Sequence, residues 1–117
     1  MRGLGELERA VMDVLWETGC PVKVRDVLDR LDTGKDLAYT TVMTVLDNLH
    51  RKDWAVRERA GKAYLYRPSI SRAEAAARSL REVLAESGDA EAVLLHFARS
   101  ASAEESEALR QGLRPPR

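Results

Sequence analysis

The segment Tyr39–Lys52, with the sequence YTTVMTVLDNLHRK, determines how the rest of the chain is interpreted. Its aliphatic side chains recur at the spacing of one helix face and are Val42, Val45, Leu46 and Leu49. The other face carries hydroxyl, aromatic and thioether groups with little charge, and a basic end follows it. Such groups suit the base edges of a DNA major groove. The segment is therefore predicted to be a recognition helix.

The composition of the chain sets the limits of this interpretation. The chain has 117 residues, of which 44% are hydrophobic and 32% charged, with a formal net charge of zero. This is the composition of a soluble protein with one domain or two small lobes. Between Arg51 and Arg67, however, six Lys and Arg residues stand against two acidic ones. Because distant acidic groups are screened, this local basic patch is expected to attract phosphate.

The cysteine content favours a reducing compartment, and the hydropathy does not favour membrane insertion. Cys20 is the one cysteine, so an internal disulfide is excluded. The sequence contains neither a signal-peptide pattern nor an apolar run of membrane-spanning length. We therefore expect a cytoplasmic protein that is not inserted in a membrane. Cys20 lies beside Pro21 at a helix exit and is expected to be a buried, inert thiol, with redox sensing as the alternative.

Apolar periodicity predicts two helices before the recognition segment. The first extends from about Gly5 to Glu17 and ends at Thr18-Gly19. The second extends from Lys23 to Leu31. The segment Cys20–Val22 between them is either an extended connector or a single edge strand. A polar loop at Asp32–Asp36 precedes the recognition segment.

The segment Trp54–Pro68 changes to the alternating pattern of strands. The Ala60-Gly61-Lys62 sequence at its middle is predicted to form a hairpin turn, in which Gly61 adopts a positive φ. Helix, short strand, helix, helix and hairpin is the order of a winged helix-turn-helix, in which the third helix reads DNA and the wing lies along the backbone. The predicted fold is mainly α with a small β-hairpin, and residues 1–68 form its DNA-binding domain.

Residues 69–117 are predicted to form a helical dimerisation domain of three helices. Ser71–Glu74 and Ser102–Glu105 match the capping-box pattern, and Asp89 is placed to cap the helix between them. Few of the side chains are large, so the helices either pack back onto the first domain or pair with a second chain. We favour pairing, because a twofold partner brings a second recognition helix to a half-site about 34 Å away. The predicted dimer contacts are Leu80, Leu84, Val93, Leu94, Phe97 and Leu109.

The candidate DNA contacts divide into two groups. The predicted base contacts are Tyr39, Thr40, Met43 and Thr44, with a partly buried face against the wing as the alternative. The predicted phosphate contacts include four cations, for which ordinary solvated charge is the alternative, and they are Arg51, Lys52, Arg57 and Lys62. Thr41 is also predicted to contact phosphate, with a hydrogen bond back to its own helix as the alternative. Asp47 is adverse near phosphate and is expected to be salt-bridged or turned away.

The remaining large side chains of this region are assigned to the core. The assignment covers Val42, Val45, Leu46, Leu49, Trp54, Tyr64 and Tyr66. His50 and His96 are too isolated for a metal site or a catalytic triad, and structural or surface roles are expected. No Gly-rich phosphate loop, metal-ligand cluster or nucleophile–base pair is evident, so an enzyme is not expected and neither is a cofactor.

Three segments resemble the BlaI/MecI penicillinase-repressor family, which also contains the CopY copper regulators. Leu7–Trp16 is similar to its opening helix, and Leu37–Leu49 is similar to its recognition segment, with Trp54 leading into the wing. Leu94-Leu95-His96-Phe97 and the acidic last helix resemble its dimerisation region. The resemblance covers nearly the whole chain and is strongest from Tyr39 to Tyr66.

The resemblance implies a homodimeric repressor that binds dyad-symmetric operators of β-lactamase or cell-wall stress genes in an antibiotic response. It also implies a membrane-bound zinc metalloprotease sensor as a further partner. In the family, cleavage of an Asn–Phe bond in the dimerisation region relieves repression, and the aligned bond here is His96–Phe97. A winged-helix protein-interaction module without DNA binding is the alternative function.

Two further departures from the family pattern affect what the resemblance implies. The chain has no cysteine after Cys20, so the thiolate metal sensing of CopY-type members is not expected. Ala38 and Tyr39 stand where some relatives have a Ser cap and a Pro. The first amides of the recognition helix are therefore expected to depend on DNA phosphate for a partner.

Overall fold

A computed structural model describes residues 3–32 and 36–116 of the protein. The described residues form six helices and one hairpin, which are α1 (Glu6–Thr18), α2 (Val24–Arg30), α3 (Tyr39–Arg51), β1 (Ala55–Ala60), β2 (Ala63–Pro68), α4 (Arg72–Glu86), α5 (Ala90–Ser100) and α6 (Ala103–Leu113). The prediction of a mainly α fold with a small hairpin is confirmed. No helix within these residues is long and apolar enough to span a membrane. The predicted loop at 32–36 includes residues 33–35, which lie outside the described ones.

The ends of α1 follow from local backbone chemistry. Glu8 accepts a hydrogen bond from the Gly5 amide over 2.9 Å, which satisfies an amide that the first turn leaves free. Gly19 ends the helix with a φ of 72°, a left-handed conformation that costs a residue without a Cβ little. The helix therefore ends where Thr18-Gly19 predicted.

The hairpin is antiparallel, and its register pairs Ala55 with Pro68 and Ala60 with Ala63. Gly61 forms the turn with a φ of 65°. A third, very short strand joins the hairpin through Val22, whose amide donates to the Tyr66 carbonyl over 2.9 Å and whose carbonyl accepts from the Tyr66 amide over 2.8 Å. Of the two interpretations of Cys20–Val22, the edge strand is correct.

One hydrophobic core holds α1, α2, α3 and the hairpin together. Its fully buried side chains include Val42, Leu46 and Leu49 of α3, so the stripe predicted for this helix is confirmed, with Val45 half-buried at its margin. Met12 of α1 is also fully buried, although it was not assigned to the core from the sequence. Trp54 packs against the margin of this core. The stripe fixes which face of α3 remains outside.

Tyr64 was wrongly assigned to the core, since its side chain is 40% exposed whereas Tyr66 is 2% exposed. Both side chains lie on one face of β2, but Tyr66 is paired with Val22 at the base of the hairpin and Tyr64 lies closer to the turn. Strand alternation specifies the face of a side chain and not its distance from the core. The Arg57 guanidinium covers the exposed Tyr64 ring at 4.3 Å from its centroid.

Cys20 was also wrongly predicted, because its thiol is exposed. The residue follows the left-handed Gly19 in the connection from α1. Val22, two positions further on, is the residue that the bridge to Tyr66 directs into the core. Cys20 therefore precedes the first residue of this connection that enters the core.

The chain divides into two compact units, Met1–Ser79 and Leu80–Arg117, and the division falls within α4. The predicted domain boundary between 68 and 69 stays a prediction. In the first unit, α4 begins after Ser71, whose hydroxyl accepts from the Glu74 amide over 3.1 Å, and the helix buries Ala75. The neighbouring Ala73 and Ala77 are exposed.

The second unit contains the end of α4 together with α5 and α6. Asp89 accepts from the Ala92 amide and Ser102 from the Glu105 amide, each over 3.1 Å, so both predicted caps form. The last helix continues through Gly112 and ends at Leu113. Residues 80–116 are all described, and none of their side chains is buried. This unit has no internal core of its own.

Candidate DNA-binding interface

The outer face of α3 presents the four side chains predicted to contact bases. Thr40 and Thr44 are exposed, and Tyr39 and Met43 are large apolar groups that are 43% and 42% exposed. The buried stripe of the same helix holds this face outward. The alternative in which the face packs against the wing is wrong for these four side chains, and their contact with bases stays a prediction.

The start of α3 has no side-chain cap. Ala38 occupies the cap position in an extended conformation and has no side-chain oxygen to accept from the first amides. Arg25 of α2 lies 5.4 Å from the centroid of the Tyr39 ring. A cation and free amides thus lie at one end of the helix, an arrangement that favours an anion. Arg25 was missed in the sequence, because cations were counted only after the recognition segment.

Thr44 and Thr41 differ in what they offer to a ligand. The Thr44 hydroxyl donates to the Thr40 carbonyl over 2.9 Å, so its proton is used within the helix. The Thr44 methyl group and oxygen lone pairs remain for a base edge. Thr41 is exposed, and the structure shows no such bond from its hydroxyl among the described residues. The back-bonding foreseen for Thr41 occurs at Thr44.

Asp47 is salt-bridged, as predicted. One carboxylate oxygen lies 3.0 Å from Nη1 of Arg57 on the wing, and the other lies 3.7 Å from Nε of Arg51 one turn further along α3. Arg51 also donates to the Asn48 side chain. The hydrogen bond with the Tyr66 side chain, followed by the nearby Tyr64 and Asp47 groups, raises the pKa of Arg57 above its usual value. Both guanidinium groups already have a partner.

Lys52 also has a partner, at the far end of α3. Its ammonium donates to both oxygens of Glu8 over 2.9 Å and joins the last turn of α3 to the start of α1. The hydrogen bond from the Gly5 amide, and after it the one from Lys52, holds the pKa of Glu8 below its usual value. A phosphate would have to compete with Glu8 for Lys52.

The tip of the wing carries the least committed cation of the predicted set. Lys62 is exposed beside Gly61 and has no ion pair among the described residues. Arg59 donates to the Gly61 carbonyl over 3.2 Å, which leaves its charge without a carboxylate partner in the same part of the chain. The wing thus ends in two cations, Arg59, which is paired with Tyr64 in the hairpin, and Lys62 in the turn.

The remaining predicted residues have structural or surface positions. His50 is hydrogen-bonded through Nδ1 to the Ala55 carbonyl over 3.2 Å, which connects α3 to β1. His96 is exposed in α5. The first unit combines a helix pair, an outward-facing third helix and a cationic hairpin, and these features define a winged helix-turn-helix protein.

Comparison with known proteins agrees with this class. The sequence profile of the family described as penicillinase repressor matches residues 4–114. The transcriptional regulator BlaI of Mycobacterium tuberculosis (strain CDC 1551 / Oshkosh) is 44% identical over 113 residues, which cover 94% of this chain and 82% of the relative. The chain belongs to the penicillinase repressor family. It is accordingly a DNA-binding transcriptional repressor and not an enzyme.

Two solved structures share the fold. The DNA-binding domain of the repressor BlaI superposes with a TM-score of 0.53 at 23% identity, over 60% of this chain and 84% of that one. A probable transcriptional regulator from Pseudomonas aeruginosa superposes with a TM-score of 0.52 at 23% identity, over 96% of this chain and 77% of that one. At this identity the likeness concerns the fold alone.

Proposed function

We propose that the protein is a cytoplasmic homodimer that binds a dyad-symmetric operator of β-lactamase or cell-wall stress genes in an antibiotic response. The observation that carries the proposal is the outer face of α3, where hydroxyl, methyl and aromatic groups are held outward by a fully buried stripe. Such a face matches the hydrogen-bonding groups and thymine methyls of a major groove. The family description supports the proposed target genes.

In this proposal α3 provides specificity and the surrounding cations provide affinity. Tyr39, Thr40, Met43 and Thr44 read base edges, while Thr41 and the four cations Arg51, Lys52, Arg57 and Lys62 contact phosphates. Phosphate contacts fix the orientation of a protein on the duplex but carry no sequence information directly. Three of the cations have carboxylate partners in the free protein, so a phosphate must either share the cation with its carboxylate or displace it.

An apolar groove in the second unit supports the homodimer. The groove encloses about 400 Å³ between Leu80, Phe97, Leu109 and Leu113. Leu80 is 63% exposed, and Leu94 on α5 is 51% exposed. A unit without buried side chains is not expected to fold stably alone, whereas two copies placed face to face would bury these side chains. Two recognition helices would then be linked.

We further propose that a membrane-bound zinc metalloprotease sensor relieves repression by cleaving His96–Phe97. Both side chains are exposed in α5, and the Phe97 carbonyl accepts from the Ser100 hydroxyl over 2.8 Å. A protease needs extended backbone, so several residues of α5 must unwind first. The absence of buried side chains in residues 80–116 makes local unwinding inexpensive. Mass spectrometry of the fragments made by induced cells tests the bond, and cleavage elsewhere contradicts it.

The proposed function is tested by genome-wide capture of DNA bound to the protein. The expected result is a dyad motif upstream of β-lactamase or cell-wall genes. Sedimentation of the protein with a duplex of that motif should give two chains per duplex. Recovery of DNA without a shared motif, or one chain per duplex, would contradict the proposal.

Thr44→Ala is expected to lower the preference for operator over unrelated duplex by about fivefold, or ~1 kcal/mol. Since the Thr44 hydroxyl proton is used by Thr40, the methyl group is the expected source of the preference. Thr44→Val should therefore retain more of it than Thr44→Ser. Competition binding with both duplexes measures the ratio, and a ratio equal to that of the unsubstituted protein in all three variants would exclude Thr44 as a base contact.

Lys62→Ala is expected to weaken binding to all duplexes alike and to reduce the slope of log affinity against log salt by about one per wing. Lys62 lies at the wing tip without an ion pair among the described residues, so its loss removes a phosphate contact and little else. Arg110→Ala removes the same charge from α6, where Arg110 is paired with Glu107 at 3.1 Å. Salt titrations with equal slopes for both variants would contradict the phosphate contact.

A further inference from the structure

Asp47 occupies an unexpected place for an acidic residue. It follows Thr40, Met43 and Thr44 on the outer face of α3, and Arg51 comes one turn later. Its side chain is 45% exposed. If this face enters a major groove, as the proposed function requires, a carboxylate there is brought between two phosphate backbones. Repulsion would weaken binding at every sequence unless the charge has a purpose.

The contacts of Asp47 indicate what the carboxylate does. It forms ion pairs with Arg57 of the wing at 3.0 Å and with Arg51 of its own helix at 3.7 Å. Arg57 is fixed further by the Tyr64 ring, 4.3 Å from its guanidinium carbon. Asp47 is thus the acidic centre of a cluster that joins the recognition helix to the wing, with a net charge of one instead of two.

We propose that Asp47 is a specificity-determining positioning residue that keeps Arg51 and Arg57 paired on DNA of the wrong sequence. On an unrelated duplex, a phosphate that takes either guanidinium only replaces the carboxylate, so the exchange gains little. On the operator, the base contacts of α3 fix the helix so that phosphates meet the remaining N–H groups of the paired guanidiniums, and the intramolecular pair does not have to break. The carboxylate therefore lowers nonspecific affinity more than specific affinity, which raises the ratio that decides occupancy in a genome.

Asp47→Asn is the direct test, because the amide keeps the size of the side chain and removes its charge. Glu58→Gln is the matched control. Glu58 lies on β1 next to Arg57 and, like Asp47, pairs with a cation, in its case Arg67 at 3.6 Å. The register and the alternation of the strand place Glu58 on the hairpin face opposite Arg57. The two variants thus change net charge equally and differ in the face from which they remove it.

The probes are a duplex carrying the captured dyad motif and a duplex of the same composition with scrambled sequence. Affinities are measured between about 50 and 200 mM salt, where phosphate contacts dominate the salt dependence. We expect Asp47→Asn to tighten binding to the scrambled duplex about fivefold and to steepen its salt slope by about one per recognition helix. Operator affinity should change by about twofold or less, so the specificity ratio falls.

Two further variants separate positioning from a structural role. Asp47→Glu keeps the charge and should restore the specificity ratio. In a background of Arg57→Gln, Asp47→Asn should lose about half of its effect on the salt slope, because one of the two released cations is gone. A thermal melt of each variant shows whether its stability has changed. A change in stability alone would leave the salt slope unaltered.

The outcomes distinguish this inference from the proposed function on which it rests. A salt slope and specificity ratio that change with Asp47→Asn and not with Glu58→Gln support the positioning role. Identical behaviour of the two variants, or operator affinity that rises as much as scrambled affinity, overturns it while the repressor function stands. If the unsubstituted protein binds neither duplex, both the function and the inference are overturned.

Discussion

Leu109→Asp is expected to convert the protein from dimer to monomer and to weaken operator binding by about 10²- to 10⁴-fold. Leu109 lines the apolar groove of the second unit and is 43% exposed there. In the proposed dimer a second copy covers this face, so a carboxylate there would be buried without a partner. Once the copies separate, the second recognition helix no longer benefits from the effective concentration that the first one creates.

The control for this variant is Gln111→Asp, which introduces the same group into the same exposed helix. Two positions correspond to about 200° around a helix, so the new carboxylate lies away from the groove. Sedimentation should give a dimer for the control and a monomer for Leu109→Asp, with matching circular dichroism. If the monomer bound the operator as tightly as the dimer, linkage of two readers would not be the source of affinity.

Local pattern was enough to predict the elements of the fold. The stripe of α3, the turn at Gly61 and the caps at Asp89 and Ser102 each depend on residues a few positions apart. The same local patterns did not indicate how deeply each side chain lies in the core. Tyr64 and Tyr66 share one strand face, and the bridge from Val22 buries Tyr66 alone. That bridge joins segments 44 positions apart, beyond the reach of a pattern.

In the candidate interface, too, some features follow from local pattern and others depend on contacts between distant residues. Exposure of the α3 outer face follows from the stripe behind it, and a salt bridge for Asp47 follows from its charge. The partner Arg57 is ten positions away, across the connection into the wing. Lys52 pairs with Glu8, which is 44 positions away on α1. Such pairings depend on how the helices cross, and they alter the roles of cations that the sequence presents only as a basic run.

Leu46→Ala is expected to lower the free energy of unfolding of the first unit by about 3 to 5 kcal/mol. The Leu46 side chain is fully buried between α3 and the other elements of the core. Its removal loses the transfer free energy of the missing carbons and leaves a cavity that neighbouring helices fill only in part. Since a small domain is stable by about 5 to 15 kcal/mol, the change approaches its total stability. Urea unfolding with linear extrapolation measures it.

Met43→Ala is the matched variant, because Met43 is three positions away on the exposed face of the same helix. It should cost less than about 1 kcal/mol in stability and yet reduce the preference for operator. Leu46→Ala should instead weaken binding to operator and unrelated DNA alike, because it lowers the fraction of folded protein. Added urea should enlarge that loss of binding. If Leu46→Ala altered sequence preference while its unfolding midpoint stayed unchanged, the two faces of α3 would be assigned the wrong way round. The opposite responses of adjacent faces follow from one cause, since the buried stripe that fixes the helix also leaves its outer face exposed.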